Sequence, residues 1–428
     1  MKREIEIAGS SKASPSGRLG GAAIPQKAIV LAIVVSAMGF FVDLYDIMAL
    51  AAIGETSLRS INVAEASIKS ELNFLQSMQM FGMLIGGFLW GVVGDKYGRL
   101  KVLFGSIILY SAFTLLNAFV DTAGQYATCR FLAGLGLAGE LGAGITLVSE
   151  QMKKHQRGLG PAIIAGFGVL GAIVAVIIGK NYDWKTVYIV GGTLGFMLLI
   201  LRIGVVESGL FKISKHSKAS KGNFLIILKN KSHLKKFFCI LLAGIPGWFV
   251  NGVMMQFSNY ISKSMGMNPL PDKGTVIIYF FIALSLGDVL GGLVSQWLKS
   301  RKKSIYIFLN IHLLMLILFF TVAKNSALLY YIIFAGLGLS VGFVIQLFTL
   351  AAENFGTNIR TLVTSSGLNL VRGWVIPFGA LFTLMTGSYN IVEWKAAAVI
   401  AFSVCIVAML ALSQLDETFH NDLEFETP

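Results

Sequence analysis

Charge is scarce in this chain. Asp, Glu, Lys and Arg make up 13% of its 428 residues, against about 25% in a soluble domain. So few charges cannot clothe a water-facing surface of this size. A soluble multidomain enzyme and a disordered chain are therefore excluded. Cysteine is scarcer still. Cys129, Cys239 and Cys405 each fall in or beside an apolar segment, with no Cys-x-x-Cys or His/Cys spacing. That argues against a disulfide scaffold and against a metal site. A Gly-x4-Gly-Lys-Ser/Thr loop is missing, so ATP is not expected to drive the protein directly. No HExxH or Ser/His constellation is present, so neither catalysis nor a cofactor is expected. Residues 1–27 are polar and lack the apolar core and cleavage site of a signal peptide.

Apolar runs are what the chain has in quantity. Hydrophobic residues are 55% of it, glycine is 47 of 428, and the mean hydropathy is +0.74. A bilayer core takes about 20 apolar residues per helix. Runs of that kind cover 28–54, 71–94, 101–121, 123–150, 157–180, 184–206, 236–262, 273–299, 304–323, 326–352, 358–386 and 391–412. These predict an all-α polytopic membrane protein of twelve transmembrane helices. Strands of a membrane barrel would show about ten-residue alternating segments, which this sequence does not. The expected organisation is an N-tail (1–27), a six-helix bundle (28–206), a basic linker (207–235), a second six-helix bundle (236–412) and a C-tail (413–428). A short amphipathic helix on the membrane surface or a plain tether both suit the linker.

An even number of spans puts both termini on one side. That side collects 24 of the 35 Lys and Arg residues, the other side eight, and Arg130, Arg202 and Arg372 fall within spans. The asymmetry predicts cytoplasmic termini in a cell (inner) membrane. The net charge of +13 is thus topology, and no nucleic-acid partner is expected.

The chain also repeats itself. Ala133-Gly134-Leu135-Gly136-Leu137 recurs as Ala335-Gly336-Leu337-Gly338-Leu339. Glu150 and Arg157 recur as Glu353 and Arg360, Gly91 as Gly292, and Phe40-Phe41-Val42-Asp43 resembles Trp248-Phe249-Val250-Asn251. Four matches in one order, at offsets from 201 to 208, indicate a duplicated six-helix unit. Parallel repeats of this kind are a transporter architecture, with the substrate between the halves near the membrane midplane.

Between the second and third spans stands Gly91-Val92-Val93-Gly94-Asp95-Lys96-Tyr97-Gly98-Arg99-Leu100-Lys101. It resembles the signature loop of the major facilitator superfamily in spacing and in location. Gly91 lets a neighbouring helix approach, Asp95 can accept from helix N-termini and arginines, and Gly98 permits a tight turn. The second half carries a worn copy without the Asp. The resemblance implies the major facilitator fold, two pseudo-symmetric bundles rocking about a central site. It also implies that Gly91, Asp95, Lys96, Gly98 and Arg99 act as a gate with Glu150, Arg157, Glu353 and Arg360, whose charges form cytoplasmic ion-pair networks. Isolated surface pairs, worth about 0–1 kcal/mol each, are the bland alternative.

An ionisable group inside a span is a functional-site hypothesis by default. Asp43 and Asp46 lie three apart on span 1, on one helix face, where two acids repel and one pKa rises. Arg130 opens span 4, with Glu140 about 15 Å deeper. An Asp46–Arg130 pair with Glu140 below it, unpartnered, is the expected arrangement. Asp43-Leu44-Tyr45-Asp46 and the Arg130-to-Glu150 stretch resemble proton-coupled metabolite symporters of the superfamily. That resemblance implies proton coupling through Asp43, Asp46, Arg130 and Glu140. Phosphate and sugar porters share parts of it. They depart at Leu141, where the phosphate family has Tyr, and in span 7, where the sugar family has Gln-Gln. Asp288 and Arg372 share a depth and either line the cavity or pair. Trp248, Asn251, Gln256 and Asn259 recur at helical spacing on span 7, and Asn or Gln facing lipid would be unsatisfied. With Gln346 in span 10 they form the expected substrate-facing set. His312 reads as structural.

The resulting expectation is a monomeric bacterial secondary transporter in the lipid bilayer. It imports a small polar metabolite, an organic anion or zwitterion, together with protons. An uncoupled facilitator or exchanger, a sugar or phosphate porter, and a membrane nutrient sensor that does not transport are the rival readings.

Overall fold

The computed structural model describes residues 26–152, 159–204 and 223–420, apart from the side chains of 66, 69, 70 and 73. Among them there is no strand. Twelve helices are long and apolar enough to cross a membrane: span 1 (Gln26–Ser60), span 2 (Phe74–Tyr97), span 3 (Arg99–Phe119), span 4 (Ala123–Gln151), span 5 (Leu159–Asn181), span 6 (Trp184–Leu201), span 7 (Lys231–Met254), span 8 (Lys273–Trp297), span 9 (Arg301–Thr321), span 10 (Ala327–Asn354), span 11 (Arg360–Gly387) and span 12 (Glu393–Ser413). Lipid offers the backbone no hydrogen bonds, so a helix that closes its own is the form open to each run.

The short polar breaks before spans 4 and 10 are boundaries because they carry caps. The Thr122 side chain accepts from the Gln125 amide at the start of span 4, and Ser326 accepts from the Leu329 amide at the start of span 10. Span 7 starts at Lys231, five residues before its hydropathy run, because the Asn230 side chain caps it. The linker does hold a short helix, Leu225–Lys229. The rest of the expected linker up to residue 222 lies outside the described residues.

The duplication extends to helix breaks. Span 4 divides into Ala123–Leu137 and Glu140–Gln151, and span 10 into Ala327–Ser340 and Phe343–Asn354. The matching glycine strings, however, stand out of structural register. A Cβ on Gly134 would lie 2.2 Å from the Gln79 carbonyl of span 2, and the residue in that position against span 8 is Gly338, 2.2 Å from the Phe280 carbonyl. Gly336, its partner in the sequence match, faces Met315 of span 9 instead. The true offset here is two residues longer, because the need for a missing side chain at a close crossing selects the position.

The halves meet through spans 2 and 11 and through spans 5 and 8. Gly87 backs on Asn369 and Gly91 on the Leu362 backbone; the Ser285 hydroxyl donates to the Gly166 carbonyl. On the side that carries the signature loop the halves are closed together. On the far side they part, and a cavity opens between spans 1, 2, 7 and 8.

Candidate functional site

Among the described residues six arginines are fully buried, and each meets a carboxylate. Asp46 and Arg130 make a bidentate pair at 3.1 and 3.2 Å. Asp46 also accepts from Thr114 at 2.7 Å and Gln79 at 3.1 Å, and the Arg130 Nε donates to Asn117. Tyr188 lies under the guanidinium at 4.8 Å. This pair is entirely within the N-terminal half, and the four acceptor sites of Asp46 are filled.

Asp43 turns elsewhere. Three helical positions separate two side chains by about 60° around the axis, enough to send them to different neighbours. Asp43 crosses to Arg372 of span 11, at 3.3 Å. The two span-1 acids therefore each hold an arginine of their own. The Asp43–Arg372 contact is longer than the 2.7–2.9 Å of a charge-assisted hydrogen bond. The Arg372 Nε and the Asp43 Oδ1 are both left without a partner. Trp248 and Phe40 put their rings 5.3 and 6.0 Å from the guanidinium, in cation–π range.

Glu140 is the first correction. It is not unpartnered below Arg130: it forms an ion pair with Arg202 and accepts from Ser106 at 2.6 Å. Arg202, just past span 6, also donates to the Leu103 carbonyl. Gly39 of span 1 covers the pair, and a Cβ there would meet both charged groups at 2.6 Å. Arg202 was visible as a positive charge in an apolar run. Its partner was hidden because spans 4 and 6 meet only in the folded bundle.

A cavity of about 520 Å³ lies between the halves. Trp248, Asn251, Gln256 and Asn259 all line it, so the span-7 stripe does converge. Gln76, Gln79 and Lys273 join them, and Lys273 donates to Gln256 at 3.2 Å. Lys273, which opens span 8, was missed because it reads as a boundary charge. Span 7 loosens into a π turn at Val250–Met254, a feature frequent at functional sites, and the Asn251 Oδ1 is unpaired there. A second cavity of about 50 Å³ shares Trp248 and Asn251 with the first and is lined by Asp288 and Arg372. Those two residues line one space and do not form an ion pair. Gln346 is corrected: it borders neither cavity and is buried against span 8, near Gly291, with both amide atoms unpaired.

The loop side is held by charge. Asp95 accepts from the Thr361 and Leu362 amides, at 2.9 Å each, at the N-terminus of span 11. Glu150 bridges Arg99 at 2.9 Å and Arg360 at 2.8 Å. Gly98 turns the chain at φ 108°, and Lys96 is exposed. Arg157 lies outside the described residues. Glu353 does not pair with Arg360. It takes Arg301, at 2.9 Å, because Arg360 faces the other half. Arg99–Glu150 and Arg301–Glu353 are the duplicated clamps. Glu417, also missed, accepts from the Ser300 hydroxyl and the Arg301 and Lys302 amides, while Thr418 donates to Glu353. Burial raises the Glu417 pKa, but these bonds outweigh it and hold the carboxyl below its ordinary value.

This arrangement resembles known proteins. The family model of the Major Facilitator Superfamily matches residues 29–380. The sialic acid transporter NanX of Escherichia coli is 26% identical, over 76% of this chain and 80% of that protein. The 3-(3-hydroxy-phenyl)propionate transporter of the same species is 24% identical, over 80% of this chain and 85% of that one. Among solved structures, the proton:xylose symporter XylE bound to 6-bromo-6-deoxy-D-glucose superposes with a TM-score of 0.73 at 15% identity, covering 93% of this chain and 98% of that one. At that identity the likeness speaks to the fold.

Proposed function

The chain belongs to the Major Facilitator Superfamily, and from that premise we propose that it imports a small organic anion, carrying a carboxylate, together with protons. It is a multi-pass membrane protein and not an enzyme. In this reading both termini face the cytoplasm of a bacterial cell, the protein works as a monomer, and the closed loop side makes the described state outward-facing. Sialic acid and 3-(3-hydroxy-phenyl)propionate, the compounds named for two relatives, both carry a carboxylate, which supports the substrate class.

Arg372 carries the reading. It is a buried cation beside the cavity, held by one long contact to Asp43 from the opposite half, with an N–H to spare. A substrate carboxylate competes with Asp43 for it. A proton on Asp43 removes the competitor, so anion and proton load together. When both leave on the other side, Asp43 reclaims Arg372 and the empty carrier is reset. Coupling thus falls to Asp43. Asp46, with its four bonds filled, holds span 1 to spans 2, 3 and 4, and Glu140 with Arg202 ties span 4 to the end of span 6.

The test is binding and counterflow in proteoliposomes with sialic acid, 3-(3-hydroxyphenyl)propionate and a panel of small carboxylates, each beside its neutral methyl ester. A carboxylate should bind where its ester does not. Arg372→Gln should weaken that binding by at least about 30-fold, the equivalent of about 2 kcal/mol for a truncated buried charge pair. Esters that bind as well as acids would sink the reading. The fully bonded Asp46 carboxylate favours one rival, an uncoupled exchanger, and uptake indifferent to a pH gradient would select it.

A further inference from the structure

Asp288, in the middle of span 8, is 2% exposed and makes no ion pair or hydrogen bond among the described residues. It lines the small cavity, whose other walls are mostly Phe, Leu, Val and Ile. The charged groups around it are accounted for. Span 11 brings Arg372, which is held by Asp43 of span 1. Span 5 carries Lys180 at its far end, on Asp272. Span 10 carries Glu353 at the loop side, on Arg301 of span 9. Lys302 and Lys303 share that end of span 9, and its His312 is bonded to Ser340. Among the described residues no cation pairs with Asp288.

A bare carboxylate in such surroundings is costly and neutralises itself when it can. A metal ion does not suit the place. Hard cations take about six oxygens, and the only other side-chain oxygen on this lining is that of Asn251. A proton needs the carboxylate alone. The route is present as well: the small cavity is large enough for a water molecule and shares Trp248 and Asn251 with the main cavity.

We propose that Asp288 is a proton-binding site of the C-terminal half, loaded from the main cavity through the small one and separate from the Asp43–Arg372 pair. With Asp288 neutral and Asp43 protonated, an anion arriving at Arg372 meets net positive charge. With Asp288 ionised, it meets a like charge across the same cavity. The protein then carries two protonatable carboxyls in series, one in each half. This consequence for coupling rests on the anion reading, whereas the proton site itself does not.

The experiment is infrared difference spectroscopy of the full-length protein in lipid vesicles, titrated with pH and without substrate. The wild type should show a protonated-carboxyl band at neutral pH that disappears only on alkalinisation. Asp288→Asn should lose it, and Asp43→Asn should keep it. Asp288→Leu, matched to the apolar walls, should also lose it and serves if the Asn variant does not fold. A band unchanged in both Asp288 variants overturns the inference while leaving the anion reading intact. A band that is lost, in a protein that binds no carboxylate, supports the site and sinks the anion reading.

Discussion

The two halves share one backbone plan and differ inside. Both break the fourth helix of their bundle at the same place, and both clamp its loop-side end with an arginine on a glutamate, Arg99–Glu150 and Arg301–Glu353. Within the bundles the likeness ends. The N-terminal half encloses Asp46–Arg130 and Glu140–Arg202. The residues 204 and 203 positions after Arg130 and Glu140 are Phe334 and Phe343, both buried. In the C-terminal half Asn251, Gln256, Asp288 and Arg372 face the cavities instead. Duplication preserved the loop-side clamps and left the cavity-facing positions free to differ. Charges that satisfy one another within a half stiffen it, and charges left incompletely paired can respond to a ligand.

The largest effect should come from breaking an internal pair. Glu140→Gln leaves Arg202 buried with a neutral partner, and removing one member of a buried pair costs about 3–5 kcal/mol. Thermal unfolding in detergent should show a clear loss, with carboxylate affinity little changed. Wild-type stability together with lost pH-driven uptake would instead make Glu140 a coupling group. Phe343→Glu, the reciprocal change, buries a charge with no arginine to meet it and should be at least as harmful.

A middle-sized effect should separate the signature loop from its worn copy. Asp95→Asn takes the charge from two bonds to span 11, each worth about 1.5–3 kcal/mol with a charged partner. Access to a cysteine at position 251 should shift toward the loop side by about tenfold or more. Gln296→Asp, at the matching place in the second half, should shift it little. Equal shifts in the two variants would remove the asymmetry from the gate.

The smallest effect concerns the C-terminal segment that caps the second clamp. Glu417 has a depressed pKa in the folded protein, so its contribution is complete above the ordinary glutamate value of 4.5 and is lost as pH falls below it. For a partly exposed group this is at most about 1 kcal/mol. Glu417→Gln should therefore unfold slightly earlier than wild type at neutral pH, and the two curves should converge in acid. A constant gap across pH would show that the cap does not depend on charge.

Sequence by itself determined the twelve helices, the duplication and the signature loop. Each rests on a local rule: a run long enough for the bilayer, a repeated spacing, or a turn that only glycine makes easily. It also marked Asp43, Asp46, Arg130, Glu140, Asp288 and Arg372 as groups that lipid would not tolerate alone, and the span-7 stripe as a cavity face. Only the tertiary structure decided who meets whom. Glu140 took Arg202, Glu353 took Arg301, Asp43 reached across to Arg372, and Gln346 turned from the cavity. Partners in a bundle are set by which faces of distant helices come within about 3 Å, and periodicity along one helix carries no record of that.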